Sequence, residues 1–359
     1  MDTTNKSLPL VSIIVPVFNG SEYLRESLDS ILAQTYPRIE VLVMNDASTD
    51  STPDIIAGYG DRLRHYSQLH NKRQYQNVNE GLDMVKGKYI AIYHADDVYE
   101  PAIVQKEVEF LENHPDVGAI FCHDIFINAE GHEYGRLSIP AELRQLPALP
   151  YPTILNALMT HKNRFFPAPS SMVRASVYKD VGPYRGNEFD IASDLEMWLR
   201  IGRKYPIAIL PEYLFRYRHG HGNWTQRYFH LRTEEEGYFR IIDQYLSQGD
   251  RRLATPAALR AYEAHRAEDR LMRSVNHYIL GKSKEGKAIL SGAGVAQIVR
   301  SPAVQRLRLL VLLFVMNLLV RIPRVPSIAN FFYRRWHVRK NVVDPKAELC
   351  GKVGDDGMR

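Results

Sequence analysis

Two adjacent carboxylates, Asp96 and Asp97, follow an uninterrupted apolar run, Tyr89–Tyr93. Such a run is typical of a strand buried on both faces, and in parallel sheets ligands bind beyond the carboxyl ends of the strands. Neighbouring carboxylates repel each other unless a cation neutralises them, and Mg²⁺ or Mn²⁺ prefers oxygen ligands. The pair therefore predicts a divalent metal site whose shell a diphosphate could complete. The alternative is a solvated turn that caps a helix starting at Pro101.

Two further polar positions are predicted near the same edge of the sheet. Asp46 comes directly after a second apolar run, Ile39–Met44, and its carboxylate could accept a hydrogen bond from a base or a sugar hydroxyl. Its alternative role is an Asx turn leading into the next helix. Arg73 lies in a polar run before a helix, where a guanidinium could hold phosphate or stack on a base. The alternative for Arg73 is a solvated surface group.

Alternating strands and helices must position these side chains. Apolar runs predict strands, and apolar residues at helical spacing predict the helices between them. This alternation favours an α/β layer with a largely parallel sheet. Neither a GxGxxG nor a GxxxxGK[ST] motif follows the first strand, which argues against the usual dinucleotide fold and a P-loop. The predicted strands are 11–20, 39–44, 63–68, 89–93 and 117–127, and the predicted helices are 24–32, one beginning at Thr52-Pro53, 75–85 and one around 104–111.

Four motifs in a fixed order make the interpretation specific. They are Val15–Asn19, Asn45–Asp50, His94–Asp97 and Ser193–Arg200. Together they resemble the ordered motifs of family 2 glycosyltransferases over about residues 9 to 225. The resemblance implies the GT-A fold, a nucleotide-sugar-binding α/β sheet. It also implies sugar transfer with inversion, using Mg²⁺ or Mn²⁺.

The resemblance implies a donor site built from the first two strand ends. Pro16 and Phe18 would line the nucleoside pocket, and Asp46 would contact the base or ribose. Arg73 would contact the base or a phosphate. Asn45 stands where a second Asp is frequent, and we expect a small effect because Asp46 remains.

The metal site departs from the pattern of the family at one position. Asp96 matches the second acid of the DxD motif, the ligand of metal and diphosphate, and Asp97 is its usual acidic neighbour. His94 stands where the first Asp is common, which removes one carboxylate from the site. A Tyr-Arg-x-His segment of the family can bring a histidine to the metal or diphosphate, and both His219 and His221 are candidates, with His221 predicted as the ligand.

Asp194 matches the acidic residue that serves as catalytic base in the family, and Ser193 replaces the Glu that usually precedes it. Inversion by a single displacement needs a base that takes the proton of the acceptor hydroxyl, which suits a carboxylate. Asp194 could also be a helix N-terminal carboxylate that interacts with the helix dipole. The stretch Phe165–Ser171 precedes the base and is expected to shape the acceptor pocket.

Composition indicates a globular cytoplasmic protein. The chain has 359 residues, 45% hydrophobic and 24% charged, and its two cysteines, Cys122 and Cys350, suggest neither a disulfide framework nor a zinc site. The first eight residues are polar and do not resemble a secretory signal. We expect a GT-A domain at 1–230 and a helical region at 231–359.

The segment 300–340 is basic and partly apolar. It carries nine Arg or Lys residues and no Asp or Glu around the apolar run Leu309–Val320, which is shorter than the ~20 residues that span a bilayer. An interfacial helix on an anionic membrane surface fits this pattern. The alternatives are a buried helix that closes the domain and a homodimer contact. No nucleic-acid partner is expected, because no recognition motif accompanies the charge.

The predicted function is sugar transfer from a nucleotide-diphospho-sugar, UDP-linked, to a hydroxyl of a glycan or lipid-linked acceptor. Its expected setting is surface polysaccharide or glycolipid synthesis, in the cytoplasm or at the inner face of the cell membrane. A nucleotidyltransferase shares the sheet and the metal acids but does not require Asp194 as base. A non-catalytic nucleotide-sugar-binding protein is the other alternative.

Overall fold

A computed structural model gives the structure of most of the chain. It describes residues 8–137, 139–219, 231–291, 298–299, 303–321 and 325–334. These residues group into two compact units: the first lies within Met1–His219 and Glu236–Tyr262, and the second within Gly220–Glu235 and Glu263–Arg359. The expected domain boundary at residue 230 stays a prediction.

The first unit is built on one mixed sheet, and apolar stretches of the sequence form most of its central strands. Within the described residues nine strands take part, in the spatial order β3-β2-β1-β4-β8-β6-β9-β5, with β7 paired to β6. In chain order they are β1 Val11–Val17, β2 Ile39–Asn45, β3 Arg64–Ser67, β4 Tyr89–Ile92, β5 Val98–Tyr99, β6 Ala119–Ile127, β7 Glu133–Leu137, β8 Met172–Arg174 and β9 Ile207–Arg218.

The sheet has a parallel half and a mixed half. Strands β3, β2, β1 and β4 are all parallel, whereas β8 is antiparallel to both β4 and β6. Strand β9 is parallel to β6, and the short β5 is antiparallel to β9. The predicted α/β class with a largely parallel sheet is confirmed. Its parallel half carries the strand ends on which the polar motifs lie.

Helices cover both faces of this sheet. Successive side chains of a strand point to opposite faces, so Ile14 of β1 packs in one core and Ile13 in the other. The first core includes Trp198, and the second includes Leu28 and Val108. The helices of this unit are α1 Leu24–Leu32, α2 Thr52–Ala57, α3 Gln74–Met84, α4 Ile103–Asn113, α5 Tyr151–His161, α6 Ala175–Val181, α7 Gly186–Phe189, α8 Ser193–Gly202 and α9 Gly237–Ser247.

The second unit is helical in its described part, as expected for the C-terminal region. The long helix α10, Pro256–Ile279, continues into it and is followed by α11 Ser283–Ser291, α12 Ala303–Leu319 and α13 Pro326–Tyr333. Leu271, Val275, Leu309 and Met316 are among the residues of its own apolar core. No helix in the described part of the chain has both the length and the apolar character needed to cross a bilayer.

Candidate active site

The carboxyl ends of three adjacent parallel strands bring the predicted polar motifs together. The register pairs Val17 at the end of β1 with Asn45 at the end of β2, and Ile14 of β1 with Ile92 at the end of β4. Asp46 therefore follows β2 beside the end of β1. The turn with the two adjacent acids follows β4 on the other side of β1.

The second acid of this turn is fully buried. Asp97 has no exposed surface, its Oδ1 accepts a 2.8 Å hydrogen bond from the backbone N of Arg218, and its Oδ2 lies 4.0 Å from Nδ1 of His94. Burial and the neighbouring charge of Asp96 raise the pKa of Asp97 well above its usual value. Helix α4 begins at Ile103 without a side-chain cap. Because Asp97 is buried and no side chain caps helix α4, the interpretation of the pair as a solvated capping turn is wrong.

Arg218 fixes the same turn from the end of β9. Its guanidinium is almost fully buried, donates from Nε to the backbone carbonyl of Asp96 at 2.9 Å and pairs with Glu26 at 2.6 Å. It also stacks on the ring of Tyr23. The sequence motif Tyr-Arg-x-His pointed to this region, but the positioning contact of Arg218 was not predicted. Its partner Glu26 lies on α1, 192 positions away, and no local pattern marks that pairing.

His94, Asp96 and Asp97 form a group that fits a divalent cation. One potential ligand atom of each residue lies within 4.8 Å of the others. Oδ2 of Asp97 is buried and has no hydrogen-bond partner among the described residues, so it has a free lone pair facing this group. Burial lowers the pKa of His94, which favours the neutral imidazole that can bind a metal. Carboxylate oxygens and one imidazole nitrogen suit Mn²⁺ or Mg²⁺.

Asp46, directly after β2, forms a hydrogen bond with the segment that precedes α3. Its buried carboxylate accepts a 2.7 Å hydrogen bond from the backbone N of Lys72, which fixes the residues just before α3. Arg73, the next residue, has a φ of 69° and an exposed side chain. The guanidinium of Arg73 has no hydrogen-bond or ion-pair partner among the described residues. The positive φ shows that the loop holds this residue in an unfavourable backbone conformation.

The two residues predicted to line the nucleoside pocket lie at the end of β1. Pro16 is partly buried, and Phe18, directly after the strand, is 50% exposed. An exposed aromatic ring beside two strand ends is a surface on which a flat base could stack.

Asp194 lies at the start of α8 and faces a cleft that it shares with His94. Its Oδ1 accepts a 2.7 Å hydrogen bond from the backbone N of Leu195, and burial raises its pKa to about 6. The hydroxyl of Ser193 is buried and donates to the carbonyl of Asp190, so it does not replace the usual Glu as an acid. The cleft is lined by Gln74, Tyr75, Val78, Ile92, His94, Ala168, Ser171, Tyr184 and Asp194.

Several residues of this cleft were not predicted from the sequence. Tyr75 and Tyr184 stack with ring centroids 5.2 Å apart, and Gln74 Nε2 lies 3.5 Å from Nε2 of His94. Of the predicted stretch Phe165–Ser171, Ala168 and Ser171 reach the cleft, whereas the two phenylalanines are in the core. Of the unpredicted residues, only Tyr75 could have been expected near the cleft from the sequence, because it opens the helix predicted over 75–85.

Of the two candidate histidines that follow β9 in the sequence, only His219 lies within the described residues. His219 is described: its Nδ1 is hydrogen-bonded to the hydroxyl of Tyr134, and its ring packs 4.8 Å from that of Phe126. It is not part of the group formed by His94 and the two acids. His221, the predicted metal ligand, lies outside the described residues, so its role stays a prediction.

Comparison with known proteins gives one family match. A sequence profile described as Glycosyl transferase family 2 matches residues 12–182, which include the ends of β1, β2 and β4. An uncharacterized glycosyltransferase of Haemophilus influenzae is 30% identical over 238 residues, covering 64% of this chain and 71% of that protein.

More partial similarities are also found. An uncharacterized glycosyltransferase of Rickettsia prowazekii is 40% identical over 126 residues, covering 34% of this chain and 39% of that protein. The chain thus spans less than half of the Rickettsia relative. Among solved structures, TarS residues 1–349 of S. aureus align with a TM-score of 0.49 at 17% identity, covering 78% of this chain and 87% of that one.

Proposed function

This chain belongs to glycosyltransferase family 2, and we propose that it moves a sugar from a nucleotide-diphospho-sugar, UDP-linked, to an acceptor hydroxyl with inversion. The observation that carries the proposal is the cleft that both Asp194 and His94 line. A potential base and a potential metal group therefore border the same small space. A donor whose diphosphate lies at the metal group is proposed to place its anomeric carbon in this space.

The proposed reaction is a single displacement. Asp194 accepts the proton of the acceptor hydroxyl while that oxygen bonds to the anomeric carbon. The bond between this carbon and the diphosphate oxygen breaks, and the electron pair leaves with the nucleoside diphosphate. A Mg²⁺ or Mn²⁺ ion held by Asp96 and Asp97 would supply charge neutralisation for that leaving group. His221 remains the further ligand proposed from the family motif.

The donor is proposed to lie across the parallel strand ends. Phe18 offers an aromatic face to the base, and Pro16 borders the same strand end. Asp46 is proposed to contact base or ribose with the oxygen that does not accept from Lys72. The exposed guanidinium of Arg73 is proposed to hold a phosphate.

The acceptor is proposed to be a hydroxyl of a glycan or a lipid-linked sugar, in synthesis of a surface polysaccharide or glycolipid. The direct test is a panel of nucleotide sugars incubated with the full chain and Mn²⁺, with detection of the nucleotide product. Release of a nucleoside diphosphate is expected. Release of pyrophosphate would instead assign a nucleotidyltransferase, and binding without turnover would assign a nucleotide-sugar-binding protein.

The pH dependence of transfer is expected to follow Asp194. Its pKa is raised to about 6, and a base acts only when deprotonated, so kcat/KM should decline about tenfold per pH unit below pH 6 and level off above it. The measurement is kcat/KM from pH 5 to 8 at saturating Mn²⁺. A profile that stays flat down to pH 5 would contradict the assignment of Asp194 as base.

His94 is expected to shift the metal preference of the site. An imidazole nitrogen favours Mn²⁺ over Mg²⁺ more than a carboxylate does. His94→Asp should therefore lower the ratio of Mn²⁺ to Mg²⁺ affinity by about tenfold, measured by calorimetry in the presence of UDP. His70→Asp, on an exposed histidine of the same unit, is the control. An unchanged ratio would show that His94 does not contact the metal.

A further inference from the structure

The exposed side of helix α12 is apolar. Leu307, Val311, Phe314 and Leu318 are 71%, 55%, 73% and 60% exposed, and their spacing of four, three and four residues places them along one face. We call these four residues the α12 stripe. A solvated face of a helix normally carries polar side chains, so a continuous row of large apolar ones indicates a surface that is covered in use.

The same helix has a second apolar face that accounts for its fold. Leu309, Leu312, Leu313 and Met316 are buried in the core of the second unit. The α12 stripe is therefore not needed to hold the helix in place. The apolar run in the sequence is long because it supplies both the buried face of α12 and most of the exposed α12 stripe.

Arginines flank the α12 stripe at both ends. Arg306 and Arg308 are exposed at its start, and Arg321 is exposed just after its end. Arg308 also pairs with Glu268. On α13, Phe331 is 62% exposed, which adds a further large apolar side chain to the described surface of this unit.

We propose that the α12 stripe inserts into the interfacial layer of an anionic membrane, with Arg306 and Arg321 at the level of the lipid headgroups. The helix has 17 residues and does not meet the criteria for a membrane span, but its length suits a helix lying in the plane of the interface. This placement goes beyond sugar transfer and does not depend on it. It brings the second unit of the chain to a lipid surface, where lipid-linked acceptors are found.

Charge favours lipid over a second copy of this chain. A symmetric pair of α12 stripes packed antiparallel would bring Arg306 of one copy close to Arg321 of the other, and like charges across a contact are unfavourable. Anionic headgroups complement the same arginines, with an attraction that salt weakens.

The test is co-sedimentation of the full chain with vesicles of phosphatidylcholine alone or with 30% phosphatidylglycerol. At 0.1 M salt we expect binding to the anionic vesicles to be at least tenfold tighter than to the neutral ones, and weaker at 0.5 M salt. The double variant Phe314→Ser with Leu318→Ser should lose about tenfold or more of this affinity, because two inserted side chains are removed. The matched control is Leu69→Ser with Leu146→Ser, two exposed leucines of the first unit, which should bind like the parent chain.

A second variant tests the charges without touching the α12 stripe. Arg306→Gln with Arg321→Gln should reduce binding to anionic vesicles about tenfold and leave binding to neutral vesicles unchanged. Equal binding to both vesicle types by the parent chain, or no loss in the stripe variant, would overturn the proposal. Light scattering that shows a dimer in the parent chain and a monomer in the stripe variant would also overturn it and assign the stripe to a second copy. Release of nucleoside diphosphate from soluble donor, measured in parallel, reports on sugar transfer separately.

Discussion

Asp194→Asn is expected to lower kcat for sugar transfer by about 10²–10⁴ while leaving UDP affinity within about twofold of the parent value. Asparagine has the same shape, and its Oδ1 can still accept from the backbone N of Leu195, so the start of α8 should be preserved. What it lacks is the basic oxygen that takes the proton of the acceptor. The loss should therefore appear in the chemical step and not in donor binding.

The matched control for this variant is Glu188→Gln. Glu188 is an exposed carboxylate on α7, six residues before Asp194, and neutralising it changes the net charge by the same amount. Turnover is measured as nucleoside diphosphate released in the presence of acceptor, and UDP affinity by calorimetry. Full transfer by Asp194→Asn would exclude Asp194 as base, whereas loss of both transfer and UDP binding would point to a structural role.

The parallel half of the fold and its strand ends could be predicted from the sequence. Apolar runs such as Tyr89–Tyr93 mark buried strands, and parallel neighbours end at the same edge, which places Asp46 and Asp96 at one edge of the sheet. The predicted α/β architecture, with a largely parallel sheet and a helical C-terminal region, is confirmed. The position of each polar motif at the end of a strand could be predicted, because the motif directly follows that strand in the sequence.

The remaining contacts depend on packing between distant parts of the chain. Strand β8 has three residues and inserts antiparallel between β4 and β6, a pairing that no local pattern marks. Arg218 reaches the backbone of Asp96 and the side chain of Glu26 only because β9 ends beside both. The burial that raises the pKa of Asp97 comes from this assembly and not from the Asp-Asp sequence itself.

The α12 stripe illustrates the same limit. The sequence shows that Leu309–Val320 is apolar but does not separate the side chains that enter a core from those that remain outside. In the second unit Met316 is buried while Phe314, two residues earlier, is 73% exposed. The expectation of a buried helix therefore describes the face of α12 that packs in the core of the second unit, and the interfacial helix is a proposal for the exposed face. The binding of the second face to a membrane stays a proposal.

Removing the carboxylate of Asp96 is expected to abolish metal-dependent donor binding. Asp96→Asn should weaken UDP affinity in Mn²⁺ by about 100-fold, to the level that the parent chain shows in EDTA. The turn itself should survive the substitution. Arg218 Nε donates to the backbone carbonyl of residue 96, and the backbone N of Arg218 donates to Oδ1 of Asp97, so neither contact uses the side chain of Asp96. The lost affinity can then be attributed to the ligand and not to a disordered turn.

Calorimetry with Mn²⁺ and UDP, each alone and together, is the measurement, and Asp116→Asn is the control because Asp116 is an exposed aspartate of the same unit. In the parent chain EDTA should remove most of the UDP affinity, and in Asp96→Asn it should have almost no further effect. Such non-additivity is the signature of one shared contact, since a variant that merely loosened the fold would still respond to chelation. A strong EDTA effect that persists in Asp96→Asn would place the metal elsewhere, and the buried Oδ2 of Asp97 beside His94 would then be the next position to test.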